Sequence, residues 1–332
     1  MLTVLLTSPR VAPGLLSWQA WSTLRSASRV LTGSAAHPQL PALAAAGVVF
    51  EVLDAPADGS ALGDLLSAAI AEADGPVVWL APPGEDFAAR LAAAVTGPVT
   101  VLPGSHDLTG SHLLDVVGVM DTLRTSCPWD REQTHSSLLR YLLEEAYETV
   151  ETVESGDLAA LREELGDVLL QVAFHARIAA ERGPADGGFT IDDVADVLVA
   201  KLKRRHPHVF GTVSVSSADD VSANWEEIKK IERSERSVAT GRGEPSVLEG
   251  VAFGQPALSL AAQLQRRAER AGFAESVGDP RDEAAPADVI GHDLMRIVAR
   301  ARAAEIDPEI LLREASRRYA ERVRRWERSR TS

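Results

Sequence analysis

Two acidic stretches constrain this chain more than any other feature: Glu144-Glu145-Ala146-Tyr147-Glu148 and Glu163-Glu164-Leu165-Gly166-Asp167. Each lies in a run with helical periodicity. In each, two acids stand three residues apart and so share a helix face. At about 100° per residue, Leu142, Ala146, Val150 and Val153 form one apolar stripe, and Leu161, Leu165, Val168, Leu169 and Val172 form another. Glu145 and Glu148 flank the first stripe at the same angles at which Glu164 and Asp167 flank the second. Antiparallel packing of the two stripes, read as core, would bring all four carboxylates to one rim. Glu144 and Glu163 point further toward solvent and are candidates for a supporting role behind the ligands or for a catalytic base.

A single glutamate on an exposed helix face is usually just solvated. Four in matched phase are harder to explain that way, because converging carboxylates repel one another and lose hydration unless a cation compensates. Ligands that are all oxygen suit a hard divalent cation, Mg²⁺ above all, with Mn²⁺ as the alternative. A di-iron carboxylate bundle would need Glu-x-x-His on two helices. The positions three after Glu148 and Glu164 hold Glu151 and Asp167, and His175 reads as an ordinary helix histidine.

An acidic metal pocket that takes phosphates needs cations for the oxygens the metal does not reach. Lys201, Arg204 and Arg205 are the candidates, at the end of a predicted helix whose Lys203 complements the helix dipole. Trp225 and Lys229, at i and i+4, offer a ring to stack on a base and an ammonium for a phosphate. Trp129, in Cys127-Pro128-Trp129-Asp130, reads as packing, and His206-Pro207-His208 as a stiff structural turn.

At 332 residues the chain has room for two or three domains. Residues 1–110 alternate strand and helix signals. Short Val- and Leu-rich runs at Thr3–Thr7, Arg29–Thr32, Val48–Leu53, Val77–Ala81 and Val99–Leu102 are separated by helical spacing over Leu15–Ala27, Leu40–Ala45, Ala61–Ala73 and Phe87–Val95. That order predicts a small α/β domain with a largely parallel sheet. Residues 113–236 read as almost entirely helical, with predicted helices over Leu113–Arg124, Ser136–Glu154 and Asp157 to Arg182, a fourth capped by Thr190 and Asp193, and a last over Val221–Arg236. Residues 237–249 read as a linker. Within 250–332, Gly291–Ala299 echoes Gly166–Ala173 with one inserted residue. The stretch Glu275–Asp288 before it contains Gly278, Pro280 and Pro286 and no glutamate pair at spacing three, so the second copy lacks the first acidic helix.

The net charge of −14 argues against a nucleic-acid polymer or an anionic membrane as partner. No apolar run approaches the roughly 18 residues of a membrane span. The start, Met1 to Thr7, lacks a basic region and reads as a buried strand rather than a signal peptide. The one cysteine, Cys127, excludes an internal disulfide and fits a reducing cytoplasm.

Two resemblances add to this reading. Residues 1–110 resemble a shortened tetrapyrrole-methylase domain through Ser26-Ala27-Ser28-Arg29-Val30-Leu31 and His37-Pro38. The loop Ser8–Gly14 has one glycine and two prolines in place of the glycine-rich loop that S-adenosylmethionine needs, which implies an inactive domain. The ordered set Cys127-Pro128-Trp129-Asp130, Glu144-Glu145-Ala146-Tyr147-Glu148, Glu164-Leu165-Gly166-Asp167, Arg204-Arg205-His206-Pro207-His208-Val209-Phe210 and Trp225-Glu226-Glu227-Ile228-Lys229 resembles the MazG family of nucleoside triphosphate pyrophosphohydrolases over about 115–235, and more faintly over 250–330.

That resemblance implies a mainly α fold: an all-α, dimer-forming MazG-like bundle, with a degenerate second copy behind it and the α/β domain in front. It implies hydrolysis of (d)NTPs to the monophosphate and pyrophosphate. Glu145, Glu148, Glu164 and Asp167 would hold Mg²⁺, Glu144 would orient water, Lys201, Arg204 and Arg205 would neutralise the triphosphate, and Trp225 with Lys229 would lie near the nucleotide. Only Asp293, with Arg318 and Arg322, remains at matching places in the second copy, which is then structural or dimerising. The competing reading is a nucleotide-sensing regulatory protein with little turnover.

Overall fold

Val- and Leu-rich runs buried on both faces make the N-terminal sheet. A computed structural model describes residues 1–56, 59–82, 91, 93–215, 217, 220, 221, 224, 225, 227–229, 231, 232, 246–273 and 286–331. The predicted helix Phe87–Val95, the linker 237–249 and the segment Glu275–Asp288 lie largely outside these residues. The chain divides into two compact units, Met1–Val197 and Leu198–Ser332.

In the first unit, β1 (Leu2–Leu6), β2 (Arg29–Thr32), β3 (Glu51–Val52), β4 (Val77–Leu80) and β5 (Val99–Pro103) pair in the order β3-β2-β4-β1-β5. Every pairing is parallel, and Leu2 stands opposite both Val77 and Val99. Successive side chains leave the sheet on opposite faces. Leu2, Val4, Val77 and Trp79 meet Leu62 and Leu66 of α3 (Gly59–Ala71). Leu5, Val78 and Leu80 meet Leu24 of α1 (Trp18–Ser26) and Leu40 and Leu43 of α2 (Leu40–Ala45). Covering both faces is what a parallel sheet requires, and each fully buried Leu or Val contributes about 2 kcal/mol.

The third strand is shorter than the apolar run Val48–Leu53 predicts. Gly47, at φ +74°, ends α2, and Val48 N–H then donates to Leu43 O at 2.9 Å. Val48 is thereby turned into the α1–α2 core, which leaves only Glu51 and Val52 to pair.

The helical part of this unit comprises α4 (Leu113–Ser126), α5 (Pro128–Glu132), α6 (His135–Ser155) and α7 (Leu158–Ala179). Thr134 caps α6 reciprocally with Ser137, whose N–H reaches Thr134 Oγ1 at 3.1 Å while Thr134 N–H reaches Ser137 Oγ at 2.9 Å. Gly156, at φ +75°, stops α6 in the left-handed conformation that glycine adopts without strain. Asp157 starts α7, its Oδ1 accepting from the N–H groups of Ala159 and Ala160 at 3.0 and 3.1 Å. The result is a tight antiparallel hairpin. Its open end is held by Arg124 of α4, which donates to Asp130 O, to Gln133 O at 3.0 Å and to Glu181 Oε1 at 2.7 Å. Met120, Leu138, Ala173, Phe174 and Ile178 form a small core there, and Trp129 meets Tyr141 and Phe174 edge-on, in the packing role expected of it.

The apolar stripes of α6 and α7 are not the core that their periodicity predicts. Ala146, Val150, Val153, Leu165 and Val172 are exposed, Val153 to 60% and Leu165 to 52%, while Leu142, Leu161, Val168 and Leu169 are half-buried. Two helices make one layer, and the small core formed with α4 lies at the open end. The middle of the hairpin therefore keeps an uncovered apolar face.

Helix α8 (Ile191–Arg205) starts with the predicted capping box: Asp193 N–H reaches Thr190 Oγ1 at 3.3 Å, and Asp193 Oδ2 accepts from Thr190 N–H at 2.7 Å. The boundary between the two units falls inside this helix. The second unit continues with α9 (Pro207–Phe210), α10 (Ala257–Arg270), α11 (Pro286–Ala303) and α12 (Pro308–Thr331). Ala262 and Val298 are buried in it, Gln265 Nε2 donates to Met295 O at 2.8 Å, and Arg302 pairs with Glu269 at 2.5 Å. No described helix is long and apolar enough to cross a membrane.

Candidate metal centre

The hairpin register brings the predicted acids together. One carboxylate oxygen from each of Glu145, Glu164 and Asp167 lies within 4.8 Å of the others. Glu148 is hydrogen-bonded to Glu164 through the two carboxyl groups. All four predicted ligands thus form one cluster, two from each helix. Glu144 and Glu163 are exposed beside it, each close enough to repel its neighbour in sequence.

The electrostatics match this geometry. Burial pushes the Glu145 carboxyl above its ordinary range, and the charges of Asp167, Glu148, Glu144 and Glu164 push it further. Glu164 is raised by burial first, then by the charge of Glu148 and its hydrogen bond to it. Carboxylates crowded in this way repel one another, and a divalent cation among them relieves that repulsion. The donor set, all carboxylate oxygen from two rigid helices, fits Mg²⁺ or Mn²⁺.

A second cluster is built within the Leu198–Ser332 unit. Arg204 and Arg205, at the end of α8, both bind Glu232: each Nη2 lies 2.7 Å from one of its carboxylate oxygens. Glu232 is buried to 7% exposure, and the hydrogen bond from Arg205, seconded by Arg204, holds its carboxyl down at about 2. Trp225 stands among cations, 5.9 Å from the Arg205 guanidinium and 5.6 Å from the Lys229 ammonium, with His206 edge-on at 4.9 Å. Trp225 Nε1 is buried without a hydrogen-bond partner. Lys201 is half-buried one turn before Arg205. Glu232 is the residue that sequence reasoning missed. Its signal was present, since Trp225, Lys229 and Glu232 follow at i, i+4 and i+7 and so share a face.

The second copy has no such assembly among the described residues. Asp293 pairs with Arg296 at 3.3 Å, Arg318 with Glu314 at 3.4 Å, and Arg322 lies over the Tyr319 ring at 5.5 Å. These are local contacts within one helix each.

Residues 133–210 match the MazG nucleotide pyrophosphohydrolase domain, a span that contains both acidic helices and the Arg204–Arg205 pair. The chain is 40% identical over 257 residues to a nucleoside triphosphate pyrophosphohydrolase of Mycobacterium tuberculosis, covering 77% of this chain and 70% of that protein. It is 38% identical over 231 residues to the nucleoside triphosphate pyrophosphohydrolase/pyrophosphatase MazG of Thermotoga maritima, covering 64% of this chain and 84% of the relative. It is also 48% identical over 242 residues to an uncharacterized 26.1 kDa protein of Streptomyces cacaoi, covering 72% of this chain and 93% of the other. With its acidic cluster inside the matched span and relatives aligned over most of their length, the chain belongs to the MazG nucleotide pyrophosphohydrolase family.

Proposed function

We propose that this protein hydrolyses nucleoside and deoxynucleoside triphosphates to the monophosphate and pyrophosphate, in a Mg²⁺-dependent reaction broad in base. The observation that carries the reading is the convergence of Glu145, Glu164 and Asp167 oxygens within 4.8 Å, inside the segment that matches the family domain. Glu145, Glu148, Glu164 and Asp167 would hold the cation, which when bound supplies Lewis acidity toward the phosphate oxygens. Glu144 sits beside this cluster, exposed to solvent, and is assigned to orient the attacking water. Lys201, Arg204 and Arg205 would neutralise the triphosphate, with Glu232 holding the two guanidiniums in place. Trp225 would stack on the base and Lys229 reach a phosphate; a ring face tolerates any base, which supports breadth.

In this reading residues 113–236 are the catalytic domain. Residues 1–110 are an inactive α/β domain, 237–249 a linker, and 250–332 a structural or dimerising copy. The exposed apolar face of α6 and α7 supports a homodimer. The single cysteine supports a role in a reducing cytoplasm, where such an activity would clear non-standard or excess nucleotides.

The test is to incubate the protein with Mg²⁺ and each triphosphate in turn and to measure pyrophosphate. Release with several bases is expected. Nucleotide binding without pyrophosphate release would replace this reading by a nucleotide-sensing regulatory protein.

A further inference from the structure

His135 opens α6 and His175 lies near the end of α7. Their Nδ1 atoms are 2.8 Å apart and their ring planes are within 3° of parallel. The 5.1 Å between ring centroids exceeds the nitrogen separation by about two ring radii. The two imidazoles therefore lie edge to edge in a common plane, with both Nδ1 atoms on the line between their centres. That is the geometry of a straight N–H···N hydrogen bond, which needs one proton between the two nitrogens. His175 Nε2 is buried without a partner. A bare lone pair is tolerated there better than an orphaned N–H, so the tautomer assigned is His175 donating from Nδ1 and His135 accepting.

This bond lies in register with the acidic cluster. The hairpin turns at Gly156 and Asp157, so that Glu148 faces Glu164 and Glu145 faces Asp167; continued to the open end, the same antiparallel register sets His135 opposite Arg177, about half a turn from His175, and the imidazoles span that offset. The turn closes one end of the hairpin and the histidine pair the other, with the carboxylates between. Because each residue advances a helix by about 100°, a one-residue slip of α6 on α7 would carry Glu145 and Glu148 away from their partners. A directional bond at the open end opposes that slip, where apolar contacts alone discriminate less sharply.

The charged neighbours are otherwise engaged. Arg177 of α7 binds Asp121 of α4 and Glu181, Arg124 of α4 also binds Glu181, and Arg140 of α6 lies over the Tyr141 ring.

We propose that the His135–His175 bond is a positioning element for the acidic centre: it sets the register of α6 on α7, and lets it go when the pair takes up a second Nδ1 proton. The proposal rests on the metal-centre reading above. Two protonated Nδ1 atoms facing each other at this distance clash in both sterics and charge, so acid opens the clamp.

Mn²⁺ binding, followed by the resonance of the free ion, tests this on wild type, His135→Ala and His135→Asn between about pH 5.5 and 8, the range in which histidine titrates. The asparagine amide places a polar group where Nδ1 stood but does not titrate. His135→Ala is expected to bind Mn²⁺ about tenfold more weakly than wild type at pH 8, as loss of a supporting contact does in metal sites. His135→Asn is expected to stay within about twofold of wild type at pH 8. It should also hold its affinity further into acid than wild type does. Wild-type affinity in His135→Ala overturns the proposal, as does a wild-type pH profile in His135→Asn; should the alanine variant not fold, the asparagine profile decides alone. A wild-type protein that binds no Mn²⁺ overturns the metal centre itself and the proposal with it, whereas binding by wild type with indifferent variants overturns only the proposal.

Discussion

Glu145 of α6 and Asp167 of α7 bring carboxylate oxygens within 4.8 Å of each other across the hairpin, although each helix alone could place its acid only on its own flank. If this pair holds the catalytic cation, Glu145→Ala or Asp167→Ala should lower kcat by about a hundredfold or more while the fold survives. Asp293→Ala, which removes an exposed acid paired with Arg296, should leave turnover nearly unchanged. Pyrophosphate release by purified variants, with circular dichroism to confirm folding, checks both. Equal damage from Asp293→Ala would place a second centre in the C-terminal copy.

The same crowding should make the centre a source of instability in the absence of metal. In the folded chain the Glu145 carboxyl is raised above its ordinary 4.5 by burial and by its acidic neighbours. Ionising it therefore destabilises the native state as pH rises from about 4.5 through the raised value, and that penalty persists at neutral pH. In a chelator at pH 7, Glu145→Gln should be more stable than wild type by about 0.5 kcal/mol, near the size of a relieved like-charge pair. With Mg²⁺ added the order should reverse, because only wild type gains the full binding energy. Thermal melts with and without Mg²⁺ give both signs.

Glu232 carries the opposite dependence. Its carboxyl is held at about 2 by Arg205 and Arg204, below the ordinary 4.5. The stability it contributes is fully present above about 4.5 and is lost as pH falls toward 2. Glu232→Gln should cost about 2 kcal/mol at pH 7, less than a fully buried pair because Arg204 is half exposed to solvent. The difference from wild type, measured by urea unfolding, should shrink steadily below about pH 4.5. A gap that stays constant from pH 7 to pH 3 would mean that packing, not charge, is what the carboxylate provides.

The exposed stripe on the hairpin makes a claim about assembly. Val153 and Leu165 are both more than half exposed although each lies on the apolar face of its helix. A Val153→Asp, Leu165→Asp double variant should shift the protein from dimer to monomer in sedimentation while its helical content stays near that of wild type. A wild-type protein that sediments as a monomer at micromolar concentration would remove the dimer from the proposed function.

Much of this was legible in the residues themselves. Spacing along one helix is local, so the flank positions of Glu145, Glu148, Glu164 and Asp167 followed from periodicity. The caps at Asp157 and Thr190 followed from side-chain chemistry within three residues, and the strands around Val30, Val78 and Val101 from short β-branched runs. The second unit's helices after Gly291 were likewise visible as an echo.

The contacts between distant segments were not. Periodicity says which face of a helix is apolar but not what covers it, and the stripe through Val153 and Leu165 read as core although both stay more than half exposed among the described residues. Arg204 and Arg205 read as free cations because Glu232, nearly thirty residues on, meets them only once the chain has folded back. His175 read as an ordinary helix histidine because its bond to His135 joins residues forty apart in sequence. Local geometry is carried by every residue's own torsions, and the sequence determined it: the helices, their caps, and the acids on their flanks. Which flanks meet depends on closing long loops against chain entropy, and only the tertiary structure decided that.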